Sequence, residues 1–173
     1  MNQVRDLASR ASSLAEELHR VYGGCAQMTL KALQDTLGLE DPGAFRAASP
    51  LSGGVALSGE VCGAVLGALM AVGLVLGRRK LEPSFQSADY AKAMEVGMKV
   101  LDRFREEFGG VKCRDIHLKL FNRYYNLRDP KEWKEFVESG ARHSCSKVCG
   151  VAARIAVEAL MEAGLFSTGT SST

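Results

Sequence analysis

The chain has 173 residues, 46% of them hydrophobic and 24% charged, a balance that fits one globular domain with a sizeable core and excludes a disordered chain. Its formal net charge of +2 comes from evenly mixed Lys/Arg and Asp/Glu, so no phosphate-binding face for nucleic acid is expected. The first 24 residues alternate charged and apolar positions and hold no uninterrupted apolar stretch of the kind a secretory signal needs. A cytoplasmic location is therefore expected, where five cysteines, an odd number, read as metal ligands, redox thiols or core filler better than as a disulfide framework.

Val4, Leu7, Ala8, Ala11, Leu14, Ala15, Leu18 and Val21 recur at helical spacing and predict an amphipathic helix over 3–21, ended by Gly23-Gly24. A second helix, 25–37, carries Ala26, Leu30, Leu33 and Leu37 on one stripe, with Gly38 as its stop. Pro42 opens a short helical piece through Ala48. Proline, serine and three glycines then break any period over 49–59, which predicts a loop whose backbone can approach a neighbour closely.

Residues 61–77 form a glycine-rich apolar run of seventeen, at the low edge of the roughly 17–25 residues of a membrane span. The amphipathic helices on either side would have nothing to pack against if this run left them for a bilayer. We therefore read about 60–77 as the central buried helix of a soluble bundle, its close contacts served by Gly63-x-x-x-Gly67. The Arg78-Arg79-Lys80 run is expected to face solvent at that helix's C-terminal end.

Ser87 caps a predicted helix over 88–108, with Tyr90, Met94, Leu101, Phe104 and Phe108 as its buried stripe and Gly97 as a point of close helix approach. The stretch from Val111 reads as a short helix after an extended approach to Cys113. Asp129-Pro130 predicts a helix over 130–138, ended by Gly140. The last helix is expected to start after Ser144 and to run to about Gly164. No segment sustains a strand period, so the fold class is all-α, a compact multi-helix bundle, with 1–165 as one domain and 166–173 as a flexible tail.

Within this layout Cys25, Cys62 and Cys145 each fall at the expected start of a helix, where unpaired N–H groups favour thiolate and donate to sulfur. Lys112 and Arg114 flank Cys113 and are expected to lower its pKa as well. Glu60, two residues before Cys62, is read as a cap with no role in proton transfer. Of the three histidines, His143 is singled out for its place two residues before Cys145, as a donor to sulfur or an accessory ligand; His19 and His117 are read as surface or satisfied residues.

The strings "CAQ" at 25–27, "GEVCGAVLGALM" at 59–70, "KCRD" at 112–115 and "CSKVCGVAARIA" at 145–156 resemble the C_GCAxxG_C_C family, a group described as redox-active and named for its cysteine pattern. The most specific element is Cys62-Gly63-Ala64-Val65-Leu66-Gly67, and the likeness spans about residues 20–160. The resemblance implies that Cys25, Cys62, Cys113 and Cys145 are the family's four cysteines. Cys149 is then an extra, either a buried apolar substitute or an accessory ligand or resolving thiol.

Four such thiolates suit an iron–sulfur cluster used in electron transfer or redox sensing, our first expectation. Zinc could use the same four, although no C-x-x-C knuckle is present, and c-type haem is excluded by the absence of C-x-x-C-H. Metal-free thiol–disulfide exchange and a structural helical interaction module are the alternatives. No serine–histidine–carboxylate set, phosphate loop or acid/base pair stands out, so the sequence leaves enzyme status and substrate open. The expected partner is a redox protein of unidentified kind, with homo-oligomerisation also open.

Overall fold

A computed structural model describes residues 2–166 and contains, among them, eight α-helices and one isolated antiparallel bridge between Val61 and Lys112. The helices are α1 (Asn2–Tyr22), α2 (Cys25–Leu37), α3 (Pro42–Ala47), α4 (Gly63–Leu76), α5 (Ala88–Phe108), α6 (Cys113–Phe121), α7 (Pro130–Glu138) and α8 (Ala141–Glu162). The all-α class read from the sequence holds. Phe166 packs against the edge of the main core, and the rest of the expected tail, 167–173, lies outside the described residues.

Local chemistry explains most boundaries. Gly38 and Gly109 close α2 and α5 with left-handed φ values of 69° and 75°. The Ser87 hydroxyl accepts from the Tyr90 N–H, and one Asp129 carboxylate oxygen accepts from the N–H groups of Lys131 and Glu132, so both capping expectations are met. The last helix departs from expectation. It begins at Ala141, four residues before Cys145, because Gly140 at φ 76° turns the chain directly from α7 into α8.

The main core is built from α1, α2, α4, α5 and α8. α8 packs on α1, α2, α4, α5 and α7, while α4 is buried over its N-terminal two-thirds against α2, α5 and α8. No described helix is long and apolar enough to cross a membrane. A second, smaller cluster of Tyr125, Leu127, Phe136 and Ala141, with Phe121 and Cys145 against it, sits where α6 and α7 meet the start of α8.

Two expectations about α5 fail. Its buried positions are Ala93, Val96, Val100 and Phe104, while Met94 lies 46% exposed, so only Phe104 of the expected stripe is fully buried. Packing of the smaller Ala and Val side chains against α4 and α8 won over the longer ones. Gly97 does not mark a close approach either, since a Cβ there would meet only Leu69 at an ordinary 3.4 Å.

The tight contact falls on α4. A Cβ on Gly67 would stand 2.3 Å from the Ala26 carbonyl oxygen, whereas one on Gly73 would meet nothing within 4 Å. We therefore expect Gly67→Ala to destabilise the fold by about 1–3 kcal/mol through overpacking. Gly73→Ala should stabilise the same helix by about 0.5–1 kcal/mol, because an exposed helical glycine costs conformational entropy. Denaturant midpoints of the two variants check this, and loss of stability of equal size in both would refute the packing argument.

Candidate thiol centre

Cys25 is the first residue of α2, Cys62 directly precedes α4, and Cys113 opens α6. Three of the four family-pattern cysteines thus stand at helix starts, but not the three expected. Cys145 lies one turn inside α8, and Cys113 takes its place at a helix start. All five cysteines are free thiols.

Small residues and a short backbone clasp bring the sulfurs together. A Cβ on Gly63 would stand 2.5 Å from the Cys25 sulfur, so the glycine after Cys62 is what makes room for the thiol from α2. Cys62 and Cys113 are joined through the bridge, with the Cys62 N–H donating to the Val111 carbonyl at 2.8 Å and the Cys113 N–H to the Glu60 carbonyl at 2.7 Å. The Glu60 carboxylate closes the clasp, holding Lys112 at 2.8 Å and Arg114 at 3.1 Å. Glu60 is therefore a tie between two loops, not the helix cap read from the sequence.

The loop 49–59 provides a third wall. Five consecutive residues, Gly53 to Leu57, have φ between 50° and 74°, three of them non-glycine, a run that costs about 1–2 kcal/mol for each non-glycine residue. Arg128 holds it by donating Nε–H and Nη2–H to the Ala56 carbonyl at 3.1 and 3.0 Å, and Arg114 reaches the carbonyls of Ser58 and Gly59. A Cβ on Gly54 would stand 2.6 Å from the Glu60 nitrogen and 2.8 Å from Cys113 Cβ, which identifies what this loop approaches.

Cys25, Cys62, Cys113 and Cys145 all line one cavity of about 390 Å³ between the main core and the small aromatic cluster. Cys149 does not line it. Fully buried in the main core, its thiol points toward the Cys25 carbonyl at 3.9 Å. Among the described residues, no group of three or more His, Cys, Asp or Glu side chains is arranged to hold a single metal ion.

Burial dominates the thiol electrostatics. The pKa values of Cys62, Cys113 and Cys145 are all pushed up, first by desolvation and then by neighbouring cysteines, since negative charge on one sulfur disfavours it on the next. The N–H groups of Ala64 and Val65 pull Cys62 back toward thiolate, but the loss of solvent outweighs them. The expectation that these positions favour thiolate is thus overturned for those three. Lys112 and Arg114 do not rescue Cys113, because both cations turn outward to Glu60.

The histidine at the site is one the sequence passed over. His143 is exposed and does not line the cavity, whereas buried His117 does, with Nε2 at 3.7 Å from the Cys113 sulfur. The Tyr125 N–H donates to His117 Nδ1 at 3.4 Å, which leaves the ring proton on Nε2, directed at sulfur. The rings of Phe121, Tyr124, Tyr125 and Phe136 enclose it. The signal was the i, i+4 spacing of Cys113 and His117 on a short helix. His19 also lines the cavity, tied through Nδ1 to the Ser146 hydroxyl at 2.9 Å.

A family profile described as "Putative redox-active protein (C_GCAxxG_C_C)" matches residues 24–159, most of the chain and all five cysteines. Neither a curated protein nor a solved structure matches.

Burial of the two cavity histidines has a pH signature. His19 is lowered from 6.5 to about 4, by desolvation and then by the charges of Arg142 and His143, and His117 falls to about 4 by desolvation. Both stay neutral in the folded protein while the unfolded chain takes up protons below pH 6.5, so their contribution is present above that value and lost as pH falls toward 4. Unfolding free energies should therefore drop over that window, by on the order of 1–3 kcal/mol per histidine. His19→Gln should have a measurably shallower profile, and an unchanged slope would refute this account.

Proposed function

Since the chain belongs to the C_GCAxxG_C_C family of proteins described as redox-active, we propose that Cys25, Cys62, Cys113 and Cys145 form its redox centre and hold an iron–sulfur cluster for electron transfer or redox sensing. The observation that carries this reading is that all four thiols, three from α2, α6 and α8 and one from the residue before α4, line one cavity. The donor set fits the group: four sulfurs are its usual ligands, and the cavity is wider than a single ion requires.

When bound, such a cluster supplies one-electron transfer. The chain's own residues hold and shield it. The Glu60 clasp fixes Cys62 and Cys113 relative to each other, and His117 directs its Nε2–H at the Cys113 sulfur, a contact that stabilises negative charge there. Leu127 and Phe136 exclude water from the same side. Cys149, set back in the core, serves as an apolar residue. Electrons would be exchanged with a partner redox protein.

The raised thiol pKa values also bear on the choice of chemistry. A thiol that stays protonated at neutral pH attacks a disulfide slowly, whereas a metal displaces the proton on binding. Metal-free thiol–disulfide exchange is the second reading, drawn from the same closeness of the thiols.

Protein purified without oxygen should be brown and contain iron and acid-labile sulfide. Cys62→Ser should remove both, while Cys149→Val should retain most of them. Colourless protein with stoichiometric zinc would refute the cluster, and metal-free protein with a reversible disulfide would establish the second reading. Equal loss in the two variants would show that the ligand set is wrong.

A further inference from the structure

The thiols occupy only part of the cavity. Its other walls are apolar, from Leu57, Ile116, Leu127, Trp133 and Phe136, and its size falls in the range of small-molecule pockets. Trp133 and Phe136 present neighbouring rings with centroids 6.0 Å apart.

Two polar groups in this lining have no hydrogen-bond or ion-pair partner among the described residues. Arg142 is the only Lys or Arg of the cavity, no Asp or Glu lines it, and the guanidinium makes no ion pair or hydrogen bond among the described residues. The Ser52 hydroxyl is buried with no hydrogen-bond partner among the described residues. Both lie against the same turn, Arg142 Nη2 at 2.9 Å from the position of a Cβ on Gly23 and Ser52 Oγ at 3.8 Å from that on Gly24. A buried hydroxyl without a partner is costly, and the half-buried guanidinium in the same lining leaves a positive charge uncompensated by any acidic residue of the cavity.

We propose that the cavity binds a small organic carboxylate with an aromatic or aliphatic body, its carboxylate on Arg142 and Ser52 and its body against Trp133, Leu127 and Phe136. One guanidinium balances one negative charge. A phosphate dianion would bring a second charge with no second cation in the lining, since His19 is neutral and already bonded to Ser146. The ligand class goes beyond the redox reading and stands on the cavity walls alone, so either can fail without the other.

Trp133 is the only tryptophan, so its fluorescence reports on this wall directly. The protein as purified is titrated with phenylacetate, neutral phenylacetamide and inorganic phosphate, with calorimetry repeating each titration in case cluster absorption masks the emission. Phenylacetate should give a saturable change, and phenylacetamide and phosphate should each bind at least tenfold more weakly. Arg142→Gln should weaken phenylacetate at least tenfold and Ser52→Ala severalfold, with circular dichroism showing both folded, while exposed Arg79→Gln should bind as the parent does. Absence of saturable phenylacetate binding, equal affinity for acid and amide, or undiminished binding by both site variants would overturn the proposal. Phosphate bound as tightly as phenylacetate would overturn the ligand class. Iron measured on the same preparation reports separately on the cluster.

Discussion

The contact on which the site depends is the approach of α2 to the first turns of α4. Side chains at Gly63 and Gly67 would collide with the Cys25 sulfur and the Ala26 carbonyl, so their absence lets two helices touch backbone to side chain where ordinary residues would hold them apart. That approach puts Cys25 beside the start of α4, and so beside Cys62. The spacing of the CGAxxG string follows from this geometry. The cysteine supplies a sulfur, the first glycine admits the sulfur from α2, and the second, four residues on along the same face, admits the helix that carries it.

Once α2 and α4 are set, Cys113 arrives through a short backbone connection. The bridge of Val61 with Lys112 is only one residue pair long, too short to be called a sheet, yet it fixes the backbone on which Cys62 and Cys113 stand. Glu60 reinforces it from the solvent side with ion pairs that are individually weak. The backbone hydrogen bonds therefore set the geometry, and the ion pairs limit its fraying. The left-handed run at 53–57 is tolerated because Arg128 donates twice to the Ala56 carbonyl, the N–H groups of Gly59 and Glu60 donate to the carbonyls of Gly53 and Gly54, and Gly54 can lie against Cys113.

What could be read from the sequence was whatever depends on local chemistry. Caps and stops placed α2 and α7 at their observed ends, and the cysteine pattern named four residues that share one cavity. What could not be read depends on partners distant in the chain. The face that α5 buries differs from the expected one because Ala93, Val96 and Val100 form an apolar stripe that competes with Met94 and Leu101, and only the neighbouring helices decide between them. Gly97 looked like the close contact when Gly67 made it, since only the fold says which glycine faces a carbonyl. His143 was preferred over His117 because it lies nearer to a cysteine in sequence, yet α8 turns it out to solvent while α6 carries His117 back toward sulfur.

The largest misreading, that helix starts would hold the thiols as thiolates, also defines the chemistry. A helix terminus contributes about half a unit charge, enough to stabilise a sulfur anion near solvent but not to offset loss of water and the proximity of other sulfurs. Cys62, Cys113 and Cys145, held toward the protonated thiol, are poor nucleophiles and poor sensors of dilute oxidant. For these three the thiolate is disfavoured unless a positive charge offsets it. Desolvation and mutual repulsion therefore act together on these sulfurs: each makes a bare negative charge costly, and under the proposed cluster reading the positive charge of the bound group would be what offsets that cost.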